Sequence, residues 1–306
     1  MITKIFSKTN FTLFSITAIF SIMALVFYWY NNYYLSNSLS FSAIFANSIF
    51  TIMALYMTQK IAFTDHINAK NSFSILFFSI FILFIPSVFA DSYTLIANIF
   101  VLLGMDRLIN LHTLSLSKEK ILDASIAFSI ACIFEFWTIL FFLLIFISLL
   151  FYILNNIRYW IIPLIGATAV AIILALYIYI FDSNIGNYII ECMLLYPNFQ
   201  EFNLNITSFN VIYLSMCTVI LMLFQITTLK KHLQSTQISL KILLSSIFIS
   251  LIIFILTQLQ NNLIFLITPL ALLMSNLVYS IEKKWIRETI TYLFIGFGII
   301  YFFLIK

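Results

Sequence analysis

The chain has 306 residues, of which 63% are hydrophobic and 8% charged, with a net charge of +4. A soluble domain carries about 25% charged residues. This sequence therefore lacks the groups to cover a water-facing surface, and its composition points to a polytopic membrane protein. Nucleic-acid binding is not indicated, because the positive charge is scattered over short loops rather than gathered in a basic domain.

A helix needs about 20 residues to cross a hydrocarbon core of about 30 Å. In chain order, apolar runs near 11–29, 39–58, 72–90, 93–110, 121–134, 137–154, 159–181, 208–228, 242–258, 262–280 and 290–305 predict eleven spans in a single all-α integral membrane domain. The first run follows Lys4 and Lys8. It is too long for a signal-peptide core and lacks a small-residue cleavage site close behind it, so it reads as a retained first span.

The stretch Ile121–Leu154 is the ambiguous one. As one helix it would run about 50 Å, too long for the bilayer. Glu135 sits in its middle, followed by Phe136 and Trp137. The expectation is a short hairpin with Glu135 at the turn.

Charge supports that reading. Short cytoplasmic loops are rich in Lys and Arg. With the N-terminus inside, the inner segments carry Lys4, Lys8, Lys60, Lys70, Arg107, Lys118, Lys120, Arg158, Lys230, Lys231, Lys241, Lys283, Lys284 and Arg287, and only Lys306, beside the outer C-terminus, falls outside. A single crossing at 121–154 would invert every later loop. The outer face then holds Asp91, Glu135, Asp182, Glu191 and Glu201. Its largest segment, Asp182–Thr207, includes the apolar stretch Ile189–Leu195, which suits the membrane surface.

Few residues offer chemistry. Glu135 is the first catalytic or proton-carrying candidate: below the membrane surface its pKa would rise and it would serve as a base or proton site, whereas in headgroup water it is a turn carboxylate beside the Trp137 anchor. Asp91 precedes a helix and suits an N-cap, with a metal or sugar contact beside Glu135 as the alternative. Arg107 and Arg158 are lipid or phosphate contact candidates. Arg107 ends the fourth span, and Arg158 opens the seventh as Arg158-Tyr159-Trp160, the anchor pattern of a membrane interface. Pro163 beyond it predicts a kink, and Pro86 and Pro269 predict bends in their helices. The in-span amides Asn47, Asn98, Gln225 and Asn276 predict interhelical hydrogen bonds.

His66, His112 and His232 are too dispersed for a metal site, and Cys132, Cys192 and Cys217 form no CxxC, leaving one bridge, Cys192–Cys217, as the only pairing to weigh. No phosphate-cradling or hydrolase motif is present, so no cofactor is expected.

Several segments carry a resemblance: Met1-Ile2-Thr3-Lys4-Ile5-Phe6-Ser7-Lys8, Ala97-Asn98-Ile99-Phe100-Val101-Leu102-Leu103, Lys120-Ile121-Leu122-Asp123-Ala124 leading into Glu135-Phe136-Trp137, and Arg158-Tyr159-Trp160-Ile161-Ile162-Pro163-Leu164-Ile165-Gly166. Together they resemble a polytopic inner-membrane family of Bacteroidota known only as a domain of unknown function. The resemblance implies a Gram-negative inner membrane and supplies no catalytic residues.

Three functions fit a chain of this kind. Poverty of intramembrane charge favours a non-catalytic subunit or scaffold in cell-envelope assembly or secretion, with membrane lipids and other envelope membrane proteins as partners. A transporter or flippase for an amphiphilic or lipid-linked substrate would use Glu135 as its coupling site. A polyprenyl-phosphate-dependent glycosyltransferase is disfavoured, since the first outer loop, Tyr30–Ser38, lacks an acid and no arginine faces out. The balance leans away from an enzyme.

Overall fold

A computed structural model describes residues 6, 11–36, 41–64, 71–112, 117–152, 157–181, 206–228, 234–257, 259–281 and 283–304. Among these there is no strand, and the chain runs through eleven α-helices. They are α1 (Phe11–Ser36), α2 (Phe41–Thr64), α3 (Phe73–Ile82), α4 (Ser92–Ile109), α5 (Ser117–Phe134), α6 (Phe142–Phe151), α7 (Ile157–Phe181), α8 (Ile206–Thr228), α9 (Gln234–Thr257), α10 (Ile264–Ser280) and α11 (Lys284–Leu304). Five segments of the described residues are long and apolar enough to cross a membrane: Thr12–Tyr30, Ser92–Ile109, Arg158–Ile180, Thr236–Thr257 and Gln260–Ser280.

The core is built on two helices that are apolar all round. Every residue of α3 is buried, as are nearly all of α10, and the two pack on each other. A helix without a polar face is either interior or set against lipid, and the burial of these two makes them interior. Phe77 and Phe81 of α3 meet Phe294 of α11 edge-on, with ring centroids 6.0 and 5.9 Å apart. By contrast, α7 buries little of itself and exposes Leu164, Ile172, Ile173 and Leu176. Exposed apolar surface on that scale belongs against lipid or another protein.

Close approach on one side depends on small residues. A Cβ on Gly166 of α7 would fall 1.8 Å from Ser125 Oγ of α5. A Cβ on Gly104 of α4 would fall 2.3 Å from the Phe128 ring of α5. With glycine at both positions, α5 sits tightly between α4 and α7.

The chain reverses at Glu135. At the start of α5, Lys120 Nζ donates to the Asn110 carbonyl at 2.7 Å. At the far end of α6, the Tyr152 hydroxyl donates to the Ile109 carbonyl at 3.0 Å. Both contacts lie at the same end of α4, so α5 runs away from that end and α6 returns to it. Residue 135 is extended (φ −141°, ψ 106°), which breaks the helix, and a 3-10 turn over Phe136–Phe141 follows.

Two predicted spans are only partly α-helical. The runs 72–90 and 137–154 contain ten-residue helices, α3 and α6, joined to the 3-10 turns Pro86–Ala90 and Phe136–Phe141. A 3-10 turn rises about 2.0 Å per residue against 1.5 Å in an α-helix, so Phe136–Phe151 still extends about 27 Å. Pro86 opens its 3-10 turn and ends the α-helical part of that run. Pro163 and Pro269 stand inside α7 and α10, which continue through them. Segment 182–205, which the charge pattern predicts to be outer, with Asp182, Glu191, Glu201 and Cys192, lies outside the described residues, as do His66, His232, Lys230 and Lys231.

Candidate functional site

Three helix breaks meet at one end of the bundle: the turns Pro86–Ala90, Phe136–Phe141 and Gln260–Leu263. The first packs on the third, and α9, which leads into the third, packs on the second. A broken helix exposes backbone groups that need partners. Here the partners are side chains, and they tie the three breaks together.

Asp91 stands at the first break. Its Oδ1 accepts from the Tyr93 and Thr94 amides at 3.1 and 3.3 Å, which caps α4. Its Oδ2 accepts from the Thr94 hydroxyl and, at 3.1 Å, from Asn261 Nδ2 of the third break. Four donors use the acceptor capacity of an ionised carboxylate. Beside it, Asn47 of α2 donates to the Phe89 carbonyl at 2.7 Å and accepts from the Ser92 hydroxyl at 2.6 Å.

Glu135 stands at the second break and is half-buried. Its Oε1 accepts from Asn262 Nδ2 at 3.2 Å. Asn262 also donates to the Thr257 hydroxyl at 3.1 Å, while its own buried Oδ1 has no partner among the described residues. Burial raises the Glu135 carboxyl from its ordinary 4.5 to about 7; the Asp91 charge adds to the rise and the Asn262 hydrogen bond opposes it. A carboxyl poised there exchanges protons near neutral pH. The Asn261-Asn262 pair joins the two acids through adjacent residues. Sequence reasoning missed these residues, although Gln260-Asn261-Asn262 is an unusually amide-rich break between two apolar runs.

The opposite end holds the other charged candidates. Asp106 is buried and pairs with Lys60 Nζ at 2.7 Å. Asn110 Nδ2 donates to the same carboxylate at 3.1 Å. Arg107, next in sequence, points elsewhere: its Nε meets Asp123 Oδ2 of α5 at 3.4 Å, with both side chains about half exposed. Arg158 is exposed at the start of α7, beside Tyr159, which accepts from the Ser117 hydroxyl at 3.4 Å, and Trp160, which stacks on Phe146. The structure therefore brings Asp91 and Glu135 together at one end and keeps Arg107 and Arg158 apart from them.

Among the in-span amides, Asn276 donates to Gln225 and Gln225 to the Leu273 carbonyl, each at 3.4 Å, which links α8 to α10. Asn98 differs: it is fully buried, and neither end of its amide has a partner among the described residues. Cys217 is buried on α8. Its suggested partner, Cys192, lies outside the described residues.

No protein family, curated protein or solved structure matches the chain. The reading of the site rests on its chemistry.

Proposed function

We propose that this is a multi-pass protein of the bacterial inner membrane, with eleven crossings and an inside N-terminus, that serves as a non-catalytic subunit in envelope assembly or secretion. The observation that carries the reading is how the ionised side chains are used. Asp91 caps α4 and holds Asn261, Glu135 holds Asn262, Asp106 pairs with Lys60, and Arg107 pairs with Asp123. Apart from the local cap, each of these contacts joins one segment of the chain to another, so these groups are engaged in holding the fold, which leaves few of them for chemistry and favours a non-catalytic role. The orientation follows from charge: Lys60, Arg107 and Lys120 gather at one end and Asp91 and Glu135 at the other, as the inside preference of basic residues requires.

Purification from native membranes under mild detergent tests the role. A membrane or envelope protein recovered in fixed stoichiometry supports the subunit reading. Recovery of the chain alone, with activity of its own, removes it. Cysteine labelling at Asn205 tests the topology: reaction only from the outside supports eleven crossings, and reaction from the cytoplasm overturns them.

One observation favours a second reading, a transporter or flippase for an amphiphilic or lipid-linked substrate. Glu135, with a carboxyl near neutrality beside Asp91, suits a coupling site for protons. Proton-dependent flux through vesicles containing the purified chain, lost in Glu135→Gln, would establish it in place of the first.

A further inference from the structure

At the Lys60 end, a groove of about 290 Å³ runs between α4 and α5. Phe100 and Leu103 line it from α4, and Ala127 and Ile130 line it from α5. Its mouth is the Arg107–Asp123 pair. We propose that this groove is a binding site for an anionic phospholipid, with the phosphate on Arg107 and one acyl chain between the two helices. The proposal rests on the membrane placement given above.

Three features support this occupant. The first is shape. Seven residues of helix separate Arg107 from Phe100, a rise of about 10 Å, and the wall between them is apolar. Ala127 keeps that slot open where a larger side chain would fill it. A leaflet is about 15 Å thick, so the groove holds much of one chain from the headgroup inward.

The second feature is donor geometry. Arg107 meets Asp123 through Nε. Its terminal guanidinium nitrogens remain for a ligand, and a guanidinium fork matches a phosphate.

The third feature is charge. Lys118 and Lys120 open α5 on the same side with the exposed Glu119 between them, so together with the Arg107–Asp123 pair this end of the groove carries three cations against two acids. Burial, and then the nearby Arg107 charge, hold the Lys120 amine below its ordinary 10.5. Basic pockets between membrane helices are a recurring mode of anionic-lipid recognition.

The test is native mass spectrometry of the purified chain in detergent with equimolar phosphatidylglycerol and diacylglycerol, which lacks the phosphate. Wild type is expected to retain phosphatidylglycerol roughly tenfold better, the scale of one charge-assisted contact. Arg107→Gln, at a half-exposed position, is expected to lose the preference. Ala127→Phe is expected to lose retention of both lipids while still eluting as a single species. Equal retention in wild type, or an unchanged ratio in Arg107→Gln, overturns the proposal. Displacement of the lipid by millimolar inorganic phosphate would mean a free-phosphate site and also overturns it. Alkaline carbonate extraction of native membranes separates the two failures: a chain that washes off has no membrane placement, whereas one that stays but shows no preference has lost only the groove.

Discussion

Asp91 and Glu135 are held by neighbours in sequence: Asn261 donates to the first at 3.1 Å and Asn262 to the second at 3.2 Å. Two carboxylates are thus brought to one end of the bundle through a single amide pair. Asp91 is well supplied, with four donors. Glu135 has one amide donor, and its burial first, with a like charge nearby, makes it hold its proton to a higher pH than an ordinary carboxyl does.

That imbalance predicts a pH-dependent stability. The folded-state pKa of Glu135 lies near 7, above its ordinary 4.5, so the native chain binds more protons than the unfolded one between those values. Its contribution is fully present below pH 4.5 and is lost as pH rises through about 7. Wild type is expected to unfold at a lower temperature at pH 8 than at pH 5. Glu135→Gln is expected to flatten the difference and to stabilise the protein at pH 8 by up to about 3 kcal/mol. Thermal unfolding in detergent at the two pH values checks this, and an unchanged pH dependence in Glu135→Gln counts against it.

Asn262 predicts a shift in the same titration. Its hydrogen bond favours the charged carboxylate, so Asn262→Leu is expected to move the Glu135 midpoint further up and to leave the Thr257 hydroxyl without this donor. The loss of a hydrogen bond to a charged group is about 1.5–3 kcal/mol. The pH at which the unfolding temperature falls is the readout. A midpoint that moves down would show that Asn262 acts on Glu135 in some other way.

The pair at the other end predicts a different pattern. Asp106 is buried and Lys60 is its cation. Lys60→Met strands a buried carboxylate, at a cost of about 3–5 kcal/mol. Replacing both, as Lys60→Met with Asp106→Asn, is expected to recover much of that loss, because no unpaired charge remains buried. A double variant as unstable as the single one would show that the carboxylate is needed for Asn110 rather than for Lys60.

Length and apolarity made the helices legible in the sequence. The reversal at Glu135 was readable because a single helix over 121–154 is too long for a membrane. The composite runs 72–90 and 137–154 were not readable, because a 3-10 turn and an α-helix share the same apolar residues. Asp91 and Glu135 could be singled out as rare acids. Their link could not, because the amide-rich break at Asn261 and Asn262 does not say which segments it will meet until the fold brings it to the other two breaks. Arg107 was visible as a charge at a helix end, but its direction away from Asp106 depends on α5.

Asn98 departs from the expectation for in-span amides, and its departure is testable. Its amide is fully buried on α4 without a protein partner at either end among the described residues. A buried, unbonded polar group costs about 1–3 kcal/mol, and an apolar side chain of the same size removes the cost. Asn98→Leu is therefore expected to raise the unfolding temperature. A fall in Asn98→Leu that is repeated in the smaller Asn98→Ala would show that the amide is bonded by an internal water or a bound molecule, whereas a fall in Asn98→Leu alone would show overpacking by the larger side chain. Water is distinguishable from a ligand by repeating the measurement after exhaustive delipidation: an internal water persists, and the destabilising effect of the substitution persists with it.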